Sequence, residues 1–535
     1  MQSLFTDFVN EKFEVNRAYQ RKLVWTQKEK EFLIDSILKQ LPIPLILLAK
    51  DQSGKYEIVD GLQRINAIVG FLRNEFPLGN KYFDLERLGD TKELRDRGEI
   101  EQKTPMLSPE ECRILFNYEV PVSVYTSRDD SEVEEVFRRI NSSGRHLSRQ
   151  DIRQAGATGP LPDIVRDISS SVRGDVSFST VVPLSRMSQI SISDGFSDGP
   201  GISVTDIFWV KHGVLDADSI RESKDEELVL DILLDTLPDK IVATEARKRD
   251  QAYGINSDTA APKHFVQGIN NSISRRGKEG VKEDFLGVFD EIRTLLSESG
   301  RTWRDLTSPG TDAKVAGRYF QLMFVPFYDL MIKNNKVIKD RAGLIESLKD
   351  FWSAAKIDVP KGGGTLSIEN KERIYGQVKA RIEKFFTDGD PEIARENNLR
   401  LRRFESDLMR SLTESSAFEI KLGITDLNSG ELNEDLLNRL PKIAAAIANT
   451  HPNGEGTIYI GVTDATEKAE KLRAEGYNSL TVNVFQCLGV APDKNRLHLS
   501  TEEYQNRIRK SFTDTAKANN ADVYRSVEIE SFDYH

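Results

Sequence analysis

The chain has 535 residues, with 74 lysines and arginines against 85 aspartates and glutamates, for a formal net charge of −11. At roughly 100–200 residues per domain this length suggests three or four folding units. The acidic balance excludes a uniformly basic nucleic-acid coat, while local basic patches or metal ions facing phosphates stay open.

Two cysteines, Cys112 and Cys487, exclude a disulfide scaffold and a four-thiolate zinc site. The opening MQSLFTDFVNEKFEV carries acids and lacks the apolar stretch of a secretory signal. No run of about eighteen apolar residues suits a membrane span. The expectation is a soluble, cytoplasmic, multidomain α/β protein.

In chain order, residues 1–155 alternate short apolar runs with amphipathic stretches. Leu45–Leu48, Tyr56–Val59 and Val120–Tyr125 are predicted strands. Ile34, Ile37, Leu38 and Leu41 have helical spacing, as do Leu62, Ile65, Val69 and Leu72, and Val133, Val136, Phe137 and Ile140. Residues 156–390 place Gly-, Ser- and Pro-rich loops between long helical patterns such as GVLDADSIRESKDEELVLDILLDTL and RYFQLMFVPFYDLMI, which predicts a helical middle domain. Residues 391–535 return to an α/β pattern. An arginine-bearing helix (Arg395, Arg400, Arg402, Arg403) leads into a strand at Ala417–Lys421. A helix with Leu436, Leu440, Ile443 and Ile447 then leads through His451-Pro452-Asn453-Gly454 to a strand, TIYIGVTD.

The densest chemistry lies in Tyr56 to Ile68, YEIVDGLQRINAI. A strand runs into Asp60-Gly61 and a helix starts at once. A helix start presents free N–H groups and about half a positive charge, and glycine permits a tight turn and close backbone approach. Gln63 and Arg64 in the first turn could reach an anion there, which suits a phosphate cradle. Asp60 would face the metal or orient water. An aspartate cap beside a turn glycine explains the same residues without a ligand. Two further segments bring an amide and guanidiniums to short loops: Tyr19-Gln20-Arg21, before a helix capped near Thr26, and FRRINSSGRHLSRQDIR, with Asn141 at a helix end and Ser148 capping the next helix against Asp151.

Taken together, YQR, PIPLILL, DGLQR and FRRINSSGRHLS, in that order, resemble the N-terminal domain of the GmrSD family of type IV restriction proteins. The family more usually has DGQQR where this chain has Leu62 in the middle. The resemblance covers about residues 10–155. It implies a ParB/sulfiredoxin-like α+β fold and a site that binds and hydrolyses a nucleoside triphosphate. It places Arg21, Asp60, Gly61, Gln63, Arg64 and Asn141 in that site, with Tyr19, Gln20 and Arg139 as weaker candidates.

A second cluster is Glu414-Ser415-Ser416-Ala417-Phe418-Glu419-Ile420-Lys421. Residues i and i+2 share a strand face, so Glu419 and Lys421 would stand together while Phe418 and Ile420 enter the core. Glu414 lies just upstream, and Asp464 ends TIYIGVTD. Grouped carboxylates bind Mg²⁺ or Mn²⁺, and a nearby lysine can stabilise phosphate charge, which suits metal-assisted phosphodiester cleavage. A solvent-exposed Glu-x-Lys pair is the plain alternative.

ESSAFEIKLG followed by PKIAAAIANTHPNGEGTIYIGVTD is similar to the Schlafen AlbA-type domain, over about residues 405–535. Here the family's double glycine is spread out as Asn453-Gly454-Glu455-Gly456, and the chain stops soon after a strand-like VYRSVEIE where relatives commonly continue, as a truncated or shorter variant would. The resemblance implies a nucleic-acid-binding or nuclease domain with Glu414, Glu419, Lys421 and Asp464 as catalytic residues. Glu414, Glu419 and Asp464 would hold the metal, and Asn449 would shape a turn or touch phosphate. The six histidines make no metal-spaced pair, and neither a Walker loop nor the HNH nuclease of many relatives of the first domain is present.

The expectation is therefore a bacterial anti-phage or restriction-type protein in which nucleotide binding or hydrolysis at the N-terminus controls metal-dependent nucleic-acid cleavage at the C-terminus, on DNA rather than RNA. The alternative is a nucleotide-gated DNA-binding protein without cleavage. A homo-oligomer is left open.

Overall fold

The computed structural model describes the chain apart from residues 18–22, 127–132, 134–135, 137–147, 155–156, 158, 176–180, 191, 194–201, 239, 256–259, 309–312, 361–365, 390–399, 402, 406, 409–417, 451–455, 483, 520–526 and 532–535. The architecture is mixed α/β. It divides into two compact units, Met1–Pro391 and Glu392–His535.

The first unit opens with α1 (Gln2–Val9), β1 (Phe13–Asn16), α2 (Gln27–Leu38), β2 (Ile46–Lys50), β3 (Tyr56–Asp60), α3 (Leu62–Leu72), α4 (Gly89–Asp96), α5 (Pro109–Asn117) and β4 (Val122–Thr126). Thr26 begins α2 with a capping box: its side chain accepts from Glu29 N while Glu29 reaches back to the Thr26 amide. The strands form a five-stranded sheet in the order β4-β2-β3-β1-β5, where β5 is Val181–Pro183. The last strand therefore joins this sheet from beyond residue 155.

Alternation along β3 explains its burial. Ile58 enters the main core of this region with Phe5, Val15, Ile34, Ile46, Ile65 and Phe71. Val59 faces a smaller cluster with Ala49 and Val133. A register shift opposite Leu47 and Leu48 makes Val59 the extra residue and sets Asp60 across from Leu47. Such bulges re-aim side chains at strand ends. Of the helix expected at 133–140, Val133 and Val136 are helical and the rest lies outside the described residues.

The middle of this unit is helical and has its own core. Its helices include the short α6 (Arg149–Gln154), then α7 (Pro160–Arg173), α8 (Lys224–Thr236), α9 (Ala246–Ala252), α10 (Lys278–Ser299), α11 (Ala313–Tyr328) and α12 (Ile368–Ile382). Trp209, Trp303, Phe285, Phe320 and Phe324 fill the centre. The long pattern expected over 213–237 is broken at Ser223, whose φ is +56°.

In the second unit, β6 (Phe418–Lys421) and β7 (Thr457–Ile460) pair in parallel, with α13 (Glu434–Thr450) between them in sequence. A parallel pair needs such a crossover. TIYIGVTD is not one strand. It breaks at Gly461, φ +102°, and β8 (Val462–Thr463) joins a separate antiparallel sheet with β9 (Leu480–Val482) and β10 (Phe485–Cys487). A Cβ on Gly461 would lie 2.7 Å from the Gly489 backbone. The final long helix is α14 (Thr501–Asn519). Val527 and Ile529 pack onto the core without forming the strand expected there. Among the described residues no helix is long and apolar enough to cross a membrane.

Candidate functional site

The first site is a strand, a one-residue turn and a helix. Ile58 and Val59 are fully buried, so the end of β3 is fixed from both faces. Gly61 then takes φ +102°, and a Cβ there would lie 2.9 Å from Ile46 Cγ1. Only glycine reaches this conformation without strain, and here it also makes room for the neighbouring strand. α3 starts immediately, without a side-chain cap because its N-cap is that glycine. Leu62, Ile65, Ile68 and Leu72 anchor its inner face.

Gln63 and Arg64 have definite partners. Gln63 Oε1 accepts from Val24 N at 3.0 Å and from Trp25 N at 3.3 Å. It thus pins the chain that follows residues 18–22 against the start of α3. Arg64 Nη2 donates to Asp60 Oδ2 at 2.7 Å and to the Leu45 carbonyl at 3.0 Å. The Arg64 side chain is 14% exposed and that of Asp60 37%. Arg64 Nε is buried and has no partner among the described residues. The structure therefore gathers Asp60, Gly61, Gln63 and Arg64 at one strand-to-helix corner. Arg21, Asn141, Tyr19, Gln20 and Arg139 lie outside the described residues.

The second site is a surface strand. Lys421 Nζ donates to Glu419 Oε1, with Glu419 42% exposed and Lys421 23%. Phe418 is buried against Phe404, Tyr459 and Phe485, and Ile420 packs beside them. β7 does neighbour β6, with Glu419 across from Ile458 and Lys421 across from Ile460. Asp464 is exposed and follows the break at Gly461 and strand β8. Glu414, and the side chain of Asn449, lie outside the described residues. Among the described residues no group of three His, Cys, Asp or Glu could hold a metal ion. Of the three carboxylates expected to do so, Glu419 is thus paired to a lysine and Asp464 is solvated.

Other polar residues in this unit were not singled out by the sequence. Asp493 is buried and accepts from Ile424 N, Thr425 Oγ1 and Tyr504 OH. Burial, with the Asp493 charge next, pushes the Tyr504 hydroxyl well above its ordinary value. Asp407 accepts from Tyr459 OH at 2.7 Å. Burial drives the Cys487 thiol up to about 12, so it is held as an inert thiol. An aspartate in a charged stretch, PDKNRLHL, gives no periodic signal that it is a core staple.

The geometry defines a mixed α/β region with a strand-to-helix corner opened by a glycine and a guanidinium beside it, in a unit that continues into a helical body. Residues 3–157 match a known family, the N-terminal domain of the GmrSD restriction endonuclease. No curated protein and no solved structure matches the chain.

Proposed function

We propose that the chain is a restriction-type defence protein whose N-terminal region holds a nucleoside triphosphate at the Asp60–Arg64 corner and whose C-terminal unit acts on nucleic acid. The observation that carries this reading is the start of α3. A left-handed glycine, with no side chain to cap the helix, opens it, and a largely buried guanidinium whose Nε has no partner among the described residues stands beside it. Amides and a positive helix end favour phosphate oxygens. The match of residues 3–157 to a restriction endonuclease domain supports the same reading. In this reading the region is ParB/sulfiredoxin-like. Gly61 and Arg64 hold the anion, with Arg21 and Asn141 joining from their own segments. Gln63 fixes the approach of the chain that carries Arg21, and Asp60 orients Arg64 and faces the metal-bound phosphates. The helical body, residues 156–390, connects this domain to the C-terminal one.

For the C-terminal unit, residues 391–535, we infer a Schlafen AlbA-like domain that engages nucleic acid, DNA rather than RNA. Cleavage would require Glu414, Glu419 and Asp464 around Mg²⁺ or Mn²⁺, with Lys421 on the phosphate. The pairing of Glu419 with Lys421 favours a second reading, in which the unit binds without cutting. One assay separates them. The purified chain is incubated with Mn²⁺ and with Mg²⁺ on DNA and on RNA, beside Glu419→Ala. Cleavage by the wild type that the variant lacks establishes the nuclease. Salt-dependent binding with no product from either protein establishes the binder.

A further inference from the structure

Helix α6 is inside out. Its six residues read RQDIRQ. The one apolar residue, Ile152, is 41% exposed, while Gln150, Arg153 and Gln154 are buried. A surface helix ordinarily buries its apolar stripe. The buried side chains of this one are tied by hydrogen bonds and ion pairs. Ser148 and Asp151 cap its start, with the Asp151 amide donating to Ser148 Oγ at 3.1 Å. Gln150 Nε2 donates to Tyr253 OH, which donates in turn to Gln154 Oε1. Gln154 Nε2 reaches the Pro162 carbonyl.

Two bonds lead onward from α6 to the first turn of α8. Ser223 Oγ donates to Asp151 Oδ1 at 2.7 Å, and Arg153 Nη1 donates to Glu227 Oε1 at 2.7 Å. Arg153 Nε also reaches Asp250 Oδ1 at 2.6 Å, while its Nη2 has no partner among the described residues. Ser223, which precedes α8, is held at φ +56°. A serine in the left-handed region is strained and persists only where its surroundings impose it. A second route ends on the same turn. Arg17, at the end of β1, pairs with Asp175, and Arg173 pairs with Asp225. β1 is hydrogen-bonded to β3, the strand that ends in Asp60.

By sequence, α6 belongs to the stretch 3–157 that matches the restriction domain, yet its bonds run to the helical body. Apolar residues of similar shape would hold such a joint at least as firmly as buried ions. A polar joint with a strained hinge residue is suited to opening and reclosing.

We propose that α6 is a releasable latch on α8, held by the Asp151–Ser223 and Arg153–Glu227 bonds, and that occupancy of the Asp60–Arg64 corner reaches the same turn of α8 through β3, β1 and the Arg17–Asp175 and Arg173–Asp225 pairs. This rests on the nucleotide reading of that corner. The test is hydrogen exchange on the full-length protein, followed at residues 224–236 and, as an internal reference, in α11. Without nucleotide, Asp151→Ala raises exchange in the first turns of α8 by about tenfold, the factor expected for losing a charge-assisted bond, and leaves α11 unchanged. Ser223→Ala, which removes the same bond and leaves the Ser148–Asp151 cap intact, raises exchange in the first turns of α8 as well and guards against a folding defect in the Asp151 variant. With saturating ATP or GTP and Mg²⁺, the wild type changes its exchange in α8. Asp151→Ala does not, although calorimetry gives an affinity within about threefold of wild type.

Equal exchange in Asp151→Ala and wild type without nucleotide overturns the latch. Nucleotide that binds the wild type and leaves α8 unchanged overturns the coupling. Nucleotide that fails to bind overturns the reading of the corner and removes the proposed trigger, while the nucleotide-free comparison still decides whether the α6–α8 joint exists.

Discussion

Asp60–Arg64 and Glu419–Lys421 are both carboxylate–cation pairs at the end of a strand, and they live in different surroundings. Arg64 is 14% exposed, is shared with the Leu45 carbonyl, and follows a glycine whose conformation and closeness to Ile46 admit no side chain. Glu419 is 42% exposed and has the lysine two residues on, on the same face of a two-stranded sheet. The first pair is one part of a corner in which each residue answers to a second constraint. The second stands at the surface, where such pairs contribute from nothing to about 1 kcal/mol. Charge pattern alone does not mark a site; overdetermination of the backbone around it does.

The far end of this scale is Asp235 with Lys371, both buried, the lysine also donating to the Val242 carbonyl and the aspartate accepting from Tyr375 and Gln321. Removing one partner leaves a buried charge, so Lys371→Met should cost about 3–5 kcal/mol in urea unfolding. Adding Asp235→Leu should recover much of the loss. Burial already raises the Asp235 carboxyl above its ordinary 3.8, opposed by Lys371. Without the lysine the folded value rises further. A raised folded value means that the contribution is complete below the unfolded value and lost as pH rises through the folded one. The Lys371→Met variant should therefore be more stable at about pH 5 than at about pH 8, and equal stability at both would contradict this.

Smaller effects sharpen the contrast between the two corners. Gly61→Ala meets both a left-handed φ and Ile46, and should lower stability by about 1–3 kcal/mol; a change within error would show that β2 shifts freely. Gln63→Ala releases the Val24 and Trp25 amides and should cost about 1 kcal/mol, read as faster exchange at those two positions. Glu419→Ala should change stability by less than about 0.5 kcal/mol, whatever it does to cleavage. A loss as large as that of Gly61→Ala would place Glu419 among structural rather than functional residues.

Much of this was legible in the sequence because it rests on local rules. YEIVDGLQR announces a strand, a turn and a helix by alternation, glycine and helical spacing, and FEIK announces its buried and exposed faces. Ser148 and Asp151 announce a cap. Other features follow from contacts between distant segments. TIYIGVTD reads as one strand, and the Gly489 backbone against Gly461 is what breaks it. The helix over 213–237 is interrupted at a serine whose conformation is tied to Asp151, 72 residues earlier. RQDIRQ gives no apolar stripe, so nothing in its periodicity shows which face is buried. Gln63 reads as a ligand residue, and its backbone partners 38 and 39 residues upstream have no signature.

The most direct measurement is a calorimetric titration of ATP and of GTP, with Mg²⁺, into the wild type and Arg64→Ala. The wild type should bind one triphosphate, and the variant should weaken that binding by about ten- to a hundredfold with its melting transition retained. Equal affinities in the two proteins, or no heat of binding in the wild type with either nucleotide, would contradict a phosphate cradle at the start of α3.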